Sequence, residues 1–322
     1  MFHRYGLAVG LLILCPSLAA GQDPSPTSSG TGRALILCGL SGDRDHHKLF
    51  SQTLTTLSTG LSARCDIAPQ AVTLLTGDEP ASDDPEFIRQ SPRATREQIA
   101  ETVAKLKVEL SADDRLWVIV LGHTYYDGRV SWLNLPGPDL SHTDFAKLFE
   151  DVPCREQIFV LTTSTSGNWI KPLSAKGRTV LAATETDWET NETEFPHELA
   201  RLMAAEDFTT KDLDADQDGK FTMLDLYVTT VRNLAQSYFG GELLATEHAL
   251  LDDDGDGRGT ELQVDYLTVD LGGRLQPNRP FKPPTPSRGD GLLAKTIVLK
   301  SVDTLPEFPP ADALDVYPPR EQ

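Results

Sequence analysis

Leu116-Trp117-Val118-Ile119-Val120-Leu121-Gly122-His123-Thr124 is an unbroken run of six apolar residues that ends in a glycine, a histidine and a threonine. A strand with one wet face alternates polar and apolar residues. A strand that is apolar at every position is covered on both faces, as in a parallel sheet between helices. Similar runs recur at 34–40, 71–75, 158–161 and 179–183. Between them, apolar residues fall at helical spacing over 48–61 (Leu49, Phe50, Leu54, Leu57, Leu61), 95–110 (Ile99, Val103, Leu106, Leu110) and 143–149. Thr95 and Gln98 form a capping box that opens the second of these helices. The alternation predicts an α/β fold, a parallel sheet with helices on both faces, and roughly 175 residues suffice for its core.

In an open parallel sheet the reactive groups lie just beyond the carboxyl ends of the strands. Besides the stretch quoted, 158–161 runs into Thr162-Thr163-Ser164-Thr165-Ser166-Gly167, and 179–183 into Thr184-Glu185-Thr186. These endings, in this order, resemble the caspase/legumain-like clan of cysteine peptidases. There one strand ends in Gly-His-Gly or Asp-His-Gly with the catalytic histidine, and the next in Asp-Ala-Cys-x-Ser-Gly, or its Glu form, with the nucleophile. Gly122-His123 matches the first motif, with Asp127-Gly128 following, and Ser166-Gly167 matches the end of the second. Leu173-Ser174 through Arg178-Thr179-Val180-Leu181-Ala182-Ala183-Thr184 is similar to the strand after the nucleophile loop. The resemblance spans residues 33–205 and implies a caspase-like fold with His123 and position 164 as the catalytic pair.

Three positions depart from the clan pattern: Ser164 replaces the nucleophilic cysteine, Thr124 replaces the glycine after the histidine, and Thr162 replaces the acidic residue. A thiol ionises near neutral pH, whereas a serine hydroxyl needs an oriented base and a group to hold that base. A side chain at position 124 also alters the backbone that would line an oxyanion hole. Three readings stay open. The domain is a disarmed pseudo-peptidase that binds a peptide or protein or serves structurally; or Ser164 and His123 form a working dyad that cleaves peptide or ester bonds; or both are ordinary strand-end polar residues. Cys154 does not replace the nucleophile, because it precedes its strand, at the opposite edge of the sheet from His123. In the clan, residues after the first strand often line the substrate pocket, so Arg44 in Asp43-Arg44-Asp45-His46-His47 is a candidate for binding substrate. His46 and His47 are adjacent and do not share a helix face, which makes them a poor chelating pair.

Further along, Asp214-Ala215-Asp216-Gln217-Asp218-Gly219-Lys220-Phe221-Thr222-Met223-Leu224-Asp225 has the spacing of an EF-hand loop. A hard cation takes about six to eight oxygens, and three crowded carboxylates repel one another without a counter-charge. The expected calcium ligands are Asp214, Asp216, Asp218, the Lys220 carbonyl, Thr222 and Asp225. Position 12 is the shorter Asp225 where glutamate is usual, so weak affinity or magnesium tolerance is expected. Helical spacing of Leu224, Tyr227, Val228, Val231, Leu234 and Tyr238 predicts the outgoing helix, and 195–208 the incoming one. A second acidic loop begins at Asp252. Its Asp252, Asp254 and Asp256 repeat the first half of the pattern, position 12 would be Gln263, and 263–271 alternates like a strand. It reads as a calcium turn without a second helix or, equally, as a plain Gly-Asp loop.

Residues 1–21 have the form of a secretory signal peptide, with His3 and Arg4, an apolar core, and Ala19-Ala20-Gly21 at the cleavage point. Export to a secreted or periplasmic location is expected, followed by a linker at 22–32, the sheet domain at 33–205, the calcium region at 206–272 and a Pro-rich tail at 273–322. Within that tail, 292–300 reads as a helix or a strand. No segment is long and apolar enough to span a bilayer. The chain carries a net charge of −19 over 322 residues, and removing Arg4 with the leader takes it to −20, which argues against nucleic acid as a partner. Of the remaining cysteines, Cys38 and Cys154 lie in or beside strand-like runs and should be free thiols. Asn191-Glu192-Thr193 fits a glycosylation acceptor, and Trp132 and Trp188 flank the proposed cleft.

Overall fold

A computed structural model describes residues 1, 30–185, 189–204, 213–216, 218–262 and 289–301. Its centre is a six-stranded sheet. In chain order the strands are β1 (Gly32–Cys38), β2 (Val72–Thr76), β3 (Arg115–Leu121), then β7 (Glu156–Leu161), β8 (Arg178–Ala182) and β10 (Leu250–Asp252). The spatial order is β10-β8-β7-β3-β1-β2, parallel throughout except for β10, which runs antiparallel to β8. All five predicted strands form, shifted by a residue or two at their ends.

The apolar runs are buried on both faces because successive residues face opposite layers. Ala34, Ile36 and Cys38 of β1 and Trp117, Ile119 and Leu121 of β3 join one buried cluster, while Leu35, Leu37, Leu116, Val118 and Val120 join the other. Helices α1 (Arg44–Arg64), α6 (Phe195–Ala204) and α7 (Met223–Gly240) cover the first face. On the second face lie α3 (Arg96–Glu109), α4 (His142–Leu148) and the short α5 (Ile170–Leu173), with α2 (Glu86–Arg89) at the edge beyond β2. Thr95 caps α3 through the Gln98 N–H, but the Gln98 side chain donates to Thr102 Oγ1, so only this half of the expected capping box is seen. A small antiparallel sheet of β4 (Thr124–Tyr126), β5 (Ser131–Leu133) and β6 (Leu140–Ser141) follows β3.

The expected boundary at 205/206 is not a boundary of the core. Leu213, Phe221, Leu224 and Tyr227 of the calcium region pack in the same cluster as Leu54, Trp117 and Leu199, and β10 completes the main sheet. Part of the tail is ordered as well. One turn of 3-10 helix at Ala294–Thr296 precedes β11 (Val298–Ser301), which pairs with β9 (Lys220–Thr222), so 292–300 holds a helical turn and then a strand. The signal peptide, most of the linker, Trp188, the end of the incoming helix and the 263–271 segment lie outside the described residues. No described helix is long and apolar enough to cross a membrane.

Candidate functional site

β3 and β7 are neighbours, so their carboxyl ends bring His123 and the 162–167 turn to one edge of the sheet. Gly122 makes the turn out of β3 at φ +139, and a Cβ there would lie 2.9 Å from the Gly39 backbone nitrogen, so only glycine fits. The His123 ring therefore lands against the first turn of α1. Its Nε2 lies 3.0 Å from the Ser41 carbonyl oxygen, and its ring centre is 5.3 Å from His46 and 5.4 Å from Phe50.

His123 and Ser164 do not bond to each other among the described residues. Ser164 is buried; its hydroxyl donates to the Thr124 carbonyl at 3.2 Å, and its own carbonyl accepts from the Thr124 hydroxyl. The surrounding hydroxyls are equally committed. Thr162 Oγ1 donates to the Val120 carbonyl at 2.8 Å, and the Ser166 N–H donates to Thr184 Oγ1 at 2.8 Å. Thr165 holds a left-handed φ of +52, unusual for a β-branched residue, and is fixed by its N–H on the Glu189 carbonyl and by contacts of its hydroxyl with Thr124 and Ser131. The hydroxyls of Thr124, Thr162, Ser164, Thr165 and Ser166 are all hydrogen-bonded within this loop and its neighbours.

His46 lies between two carboxylates, with Nδ1 2.6 Å from Asp43 Oδ2 and Nε2 2.9 Å from Glu192 Oε2. The hydrogen bond to Asp43, reinforced by Glu192, holds its pKa above the usual histidine value. Asp43 also caps α1, accepting the N–H groups of Asp45 and His46. His47 points elsewhere, 3.1 Å from Asp78 and 3.0 Å from Asp84, so the two adjacent histidines diverge as their spacing requires. Arg44 is exposed, and the groove it lines with His47, Asp83 and Asp84 has neither His123 nor Ser164 in its walls. Trp132 is half-buried and donates its indole N–H to Asp127 at 2.9 Å, a hairpin contact. Cys38, Cys65 and Cys154 are free thiols, and burial pushes Cys154 up to about 11.

In the first acidic loop the carboxylates of Asp214, Asp216 and Asp218 offer oxygens within 4.8 Å of one another. Asp214 accepts the N–H groups of Asp218 (3.0 Å) and Gly219 (2.9 Å), and Gly219 turns the chain at φ +81. Asp225 lies outside this trio, and the Thr222 hydroxyl donates to its carboxylate. Asp225 is fully buried at the start of α7, and its carboxylate accepts from the Ala215 N–H (2.9 Å), the Thr222 N–H (2.8 Å) and the Thr222 hydroxyl (2.6 Å). Burial raises its pKa to about 6. The aspartate carboxylate closes a capping box with Thr222. The loop's charge also meets a protein cation: Lys295 Nζ pairs with Asp216 and lies 3.9 Å from Asp218.

The second loop gathers Asp252, Asp254 and Asp290 within 4.8 Å; the sequence had pointed to Asp256 in place of Asp290. Asp256 turns back to accept the Arg258 N–H at 2.8 Å. Asp290 arrives from the C-terminal segment, accepts the Asp253 N–H at 3.1 Å and bonds the Thr260 hydroxyl, and burial raises its pKa to about 6. The sequence concealed Asp290, Lys295 and Glu192 because each reaches its partner across 37 to 146 residues.

No family model matches the sequence, and no curated protein matches it. Among solved structures, caspase-1 from Spodoptera frugiperda is similar at 13% identity and TM-score 0.43, over 72% of this chain and 89% of that one. A secreted C11 cysteine protease from Bacteroides thetaiotaomicron, solved with an irreversible peptide inhibitor, is similar at 12% identity and TM-score 0.41, over 71% of this chain and 67% of that one. Likenesses of this degree carry no activity over to the chain, whose chemistry is read from its own residues.

Proposed function

We propose that this chain is an exported calcium-binding protein whose α/β sheet, similar in its strand-end motifs to caspase/legumain-like peptidases, is a disarmed scaffold serving as a binding or structural module. The observation that carries the metal reading is the convergence of Asp214, Asp216 and Asp218 on a loop turned by Gly219. These carboxylates, with the Lys220 carbonyl, supply the hard oxygen donors that calcium prefers, while Thr222 and Asp225 hold the loop to α7. Bound calcium would neutralise the loop and tie α7 to it. The committed hydrogen bonds of Ser164 support the disarmed reading over a serine dyad.

The test is thermal. Ion binding to the folded form alone adds roughly 3 kcal/mol at a hundredfold excess over Kd, which shifts the melt by several degrees. Chelation is expected to lower the melting temperature, and Asp214→Ala with Asp218→Ala to abolish the response. A melt that ignores both chelator and calcium rejects the reading.

A further inference from the structure

The head of the sheet holds a second donor set of different chemistry. One ring nitrogen each from His46 and His123 and one carboxylate oxygen from Glu192 lie within 4.8 Å of one another. We propose that His46, His123 and Glu192 form a binding site for a borderline divalent cation of the zinc type, so that the strand-end histidine serves as a ligand and not as a catalytic base. This inference goes beyond the calcium reading and does not depend on it.

Three features favour such a site. Two imidazoles and one carboxylate suit zinc and its neighbours, whereas calcium takes oxygen alone. Metal–ligand bonds of about 2.0–2.1 Å place tetrahedral donors roughly 3.4 Å apart. His46 Nε2 and Glu192 Oε2, at 2.9 Å, are already near that separation, so only small side-chain rotations are needed.

Next, each histidine is oriented by a partner on its other nitrogen. Asp43 Oδ2 lies 2.6 Å from His46 Nδ1, so Nε2, which faces Glu192, is the nitrogen left for an ion. The Ser41 carbonyl takes the Nε2–H of His123 and leaves the lone pair on Nδ1. Metal-bound imidazoles are typically braced in this way, and the braces themselves are pinned. Asp43 accepts two backbone N–H groups of α1, and the Ser41 N–H is held by Asp78 at 3.2 Å.

Finally, the three donors differ in exposure. Phe50 is buried behind His123, both imidazoles are half-buried, and Glu192 is exposed. An ion can enter past Glu192 and keep a fourth position for water or a ligand. The competing account of the same contacts is a His46 imidazolium bridging Asp43 and Glu192 with no metal, and the experiment separates the two.

Untagged full-length mature protein, stripped of metal and held in excess calcium to fill the acidic loops, is titrated with Zn²⁺ by calorimetry and with Co²⁺ by visible absorption. One equivalent is expected to bind with micromolar or tighter affinity, and Co²⁺ to show the intense bands of a tetrahedral nitrogen–oxygen site. His46→Gln and His123→Gln should each weaken Zn²⁺ by 100-fold or more, and Glu192→Gln, which lies on an exposed loop and leaves the fold intact, by about tenfold. Asp214→Asn with Asp218→Asn should leave Zn²⁺ uptake unchanged. Absence of stoichiometric Zn²⁺ binding, or binding unaffected by Glu192→Gln and His123→Gln, overturns the proposal.

Discussion

At the scale of single residues, the decisive fact about Ser164 is what its hydroxyl already does. Held on the Thr124 carbonyl, it contributes one buried hydrogen bond, so Ser164→Ala is expected to lower stability by about 1 kcal/mol in urea unfolding. The same change should leave hydrolysis of a peptide and ester panel at background. A loss of measurable turnover in that variant would restore the dyad. Lys295 makes an opposite kind of claim on its neighbours. Its ammonium sits on Asp216 where a divalent ion would have to compete, so Lys295→Gln should tighten calcium binding several-fold, read by calorimetry. His142 contributes one part of the pH dependence, opposed by His46, His47 and His248, whose carboxylate partners raise their pKa values. Buried, with Nδ1 2.9 Å from the Ser131 N–H it accepts, His142 has its pKa lowered below 6.5 by burial. The unfolded chain therefore takes up this proton first, and the stability present above pH 6.5 is lost as the pH falls below it. His142→Gln should flatten the melting temperature between about pH 7 and 5 relative to the parent, which a series of buffered melts will show.

At the scale of elements, the parts legible in the sequence were those whose signal is local. The continuous apolar runs around Val118 and Phe159 can only be strands covered on both faces, and Thr95 announces the start of α3 on its own. What escaped was set by distant pairing. Leu250-Leu251-Asp252 is too short to show a period, and it is a strand only because the edge of β8 is there to receive it. Asp225 has the spacing of a ligand, yet its carboxylate is held by the backbone N–H groups of Ala215 and Thr222. The two roles make different predictions for α7. A residue that caps is missed with or without the ion, so Asp225→Ala should cost about 2 kcal/mol in chelator as well as in calcium. A deficit seen only in calcium would return Asp225 to the coordination sphere.

For the whole molecule, the calcium region and the sheet domain share the buried cluster on one face of the sheet, so the expected boundary near 205 does not divide it. Residues 289–301 link regions distant in sequence: Asp290 meets the second acidic loop, Lys295 the first, and Ala294, Ile297 and Leu299 are buried beneath α7. Ending the chain at Leu262 removes all of these together. Burial of those apolar side chains is worth roughly 3 to 6 kcal/mol, so the shortened protein should melt well below the parent and yield α7 early to limited proteolysis. The last strand of the main sheet has a further consequence for biosynthesis. Until residue 252 of 322 has left the ribosome, β8 presents a bare edge able to pair with any passing strand. The main sheet is therefore closed on that side only after β10 has emerged, and a nascent chain stalled before it exposes the strand edge most prone to wrong pairing.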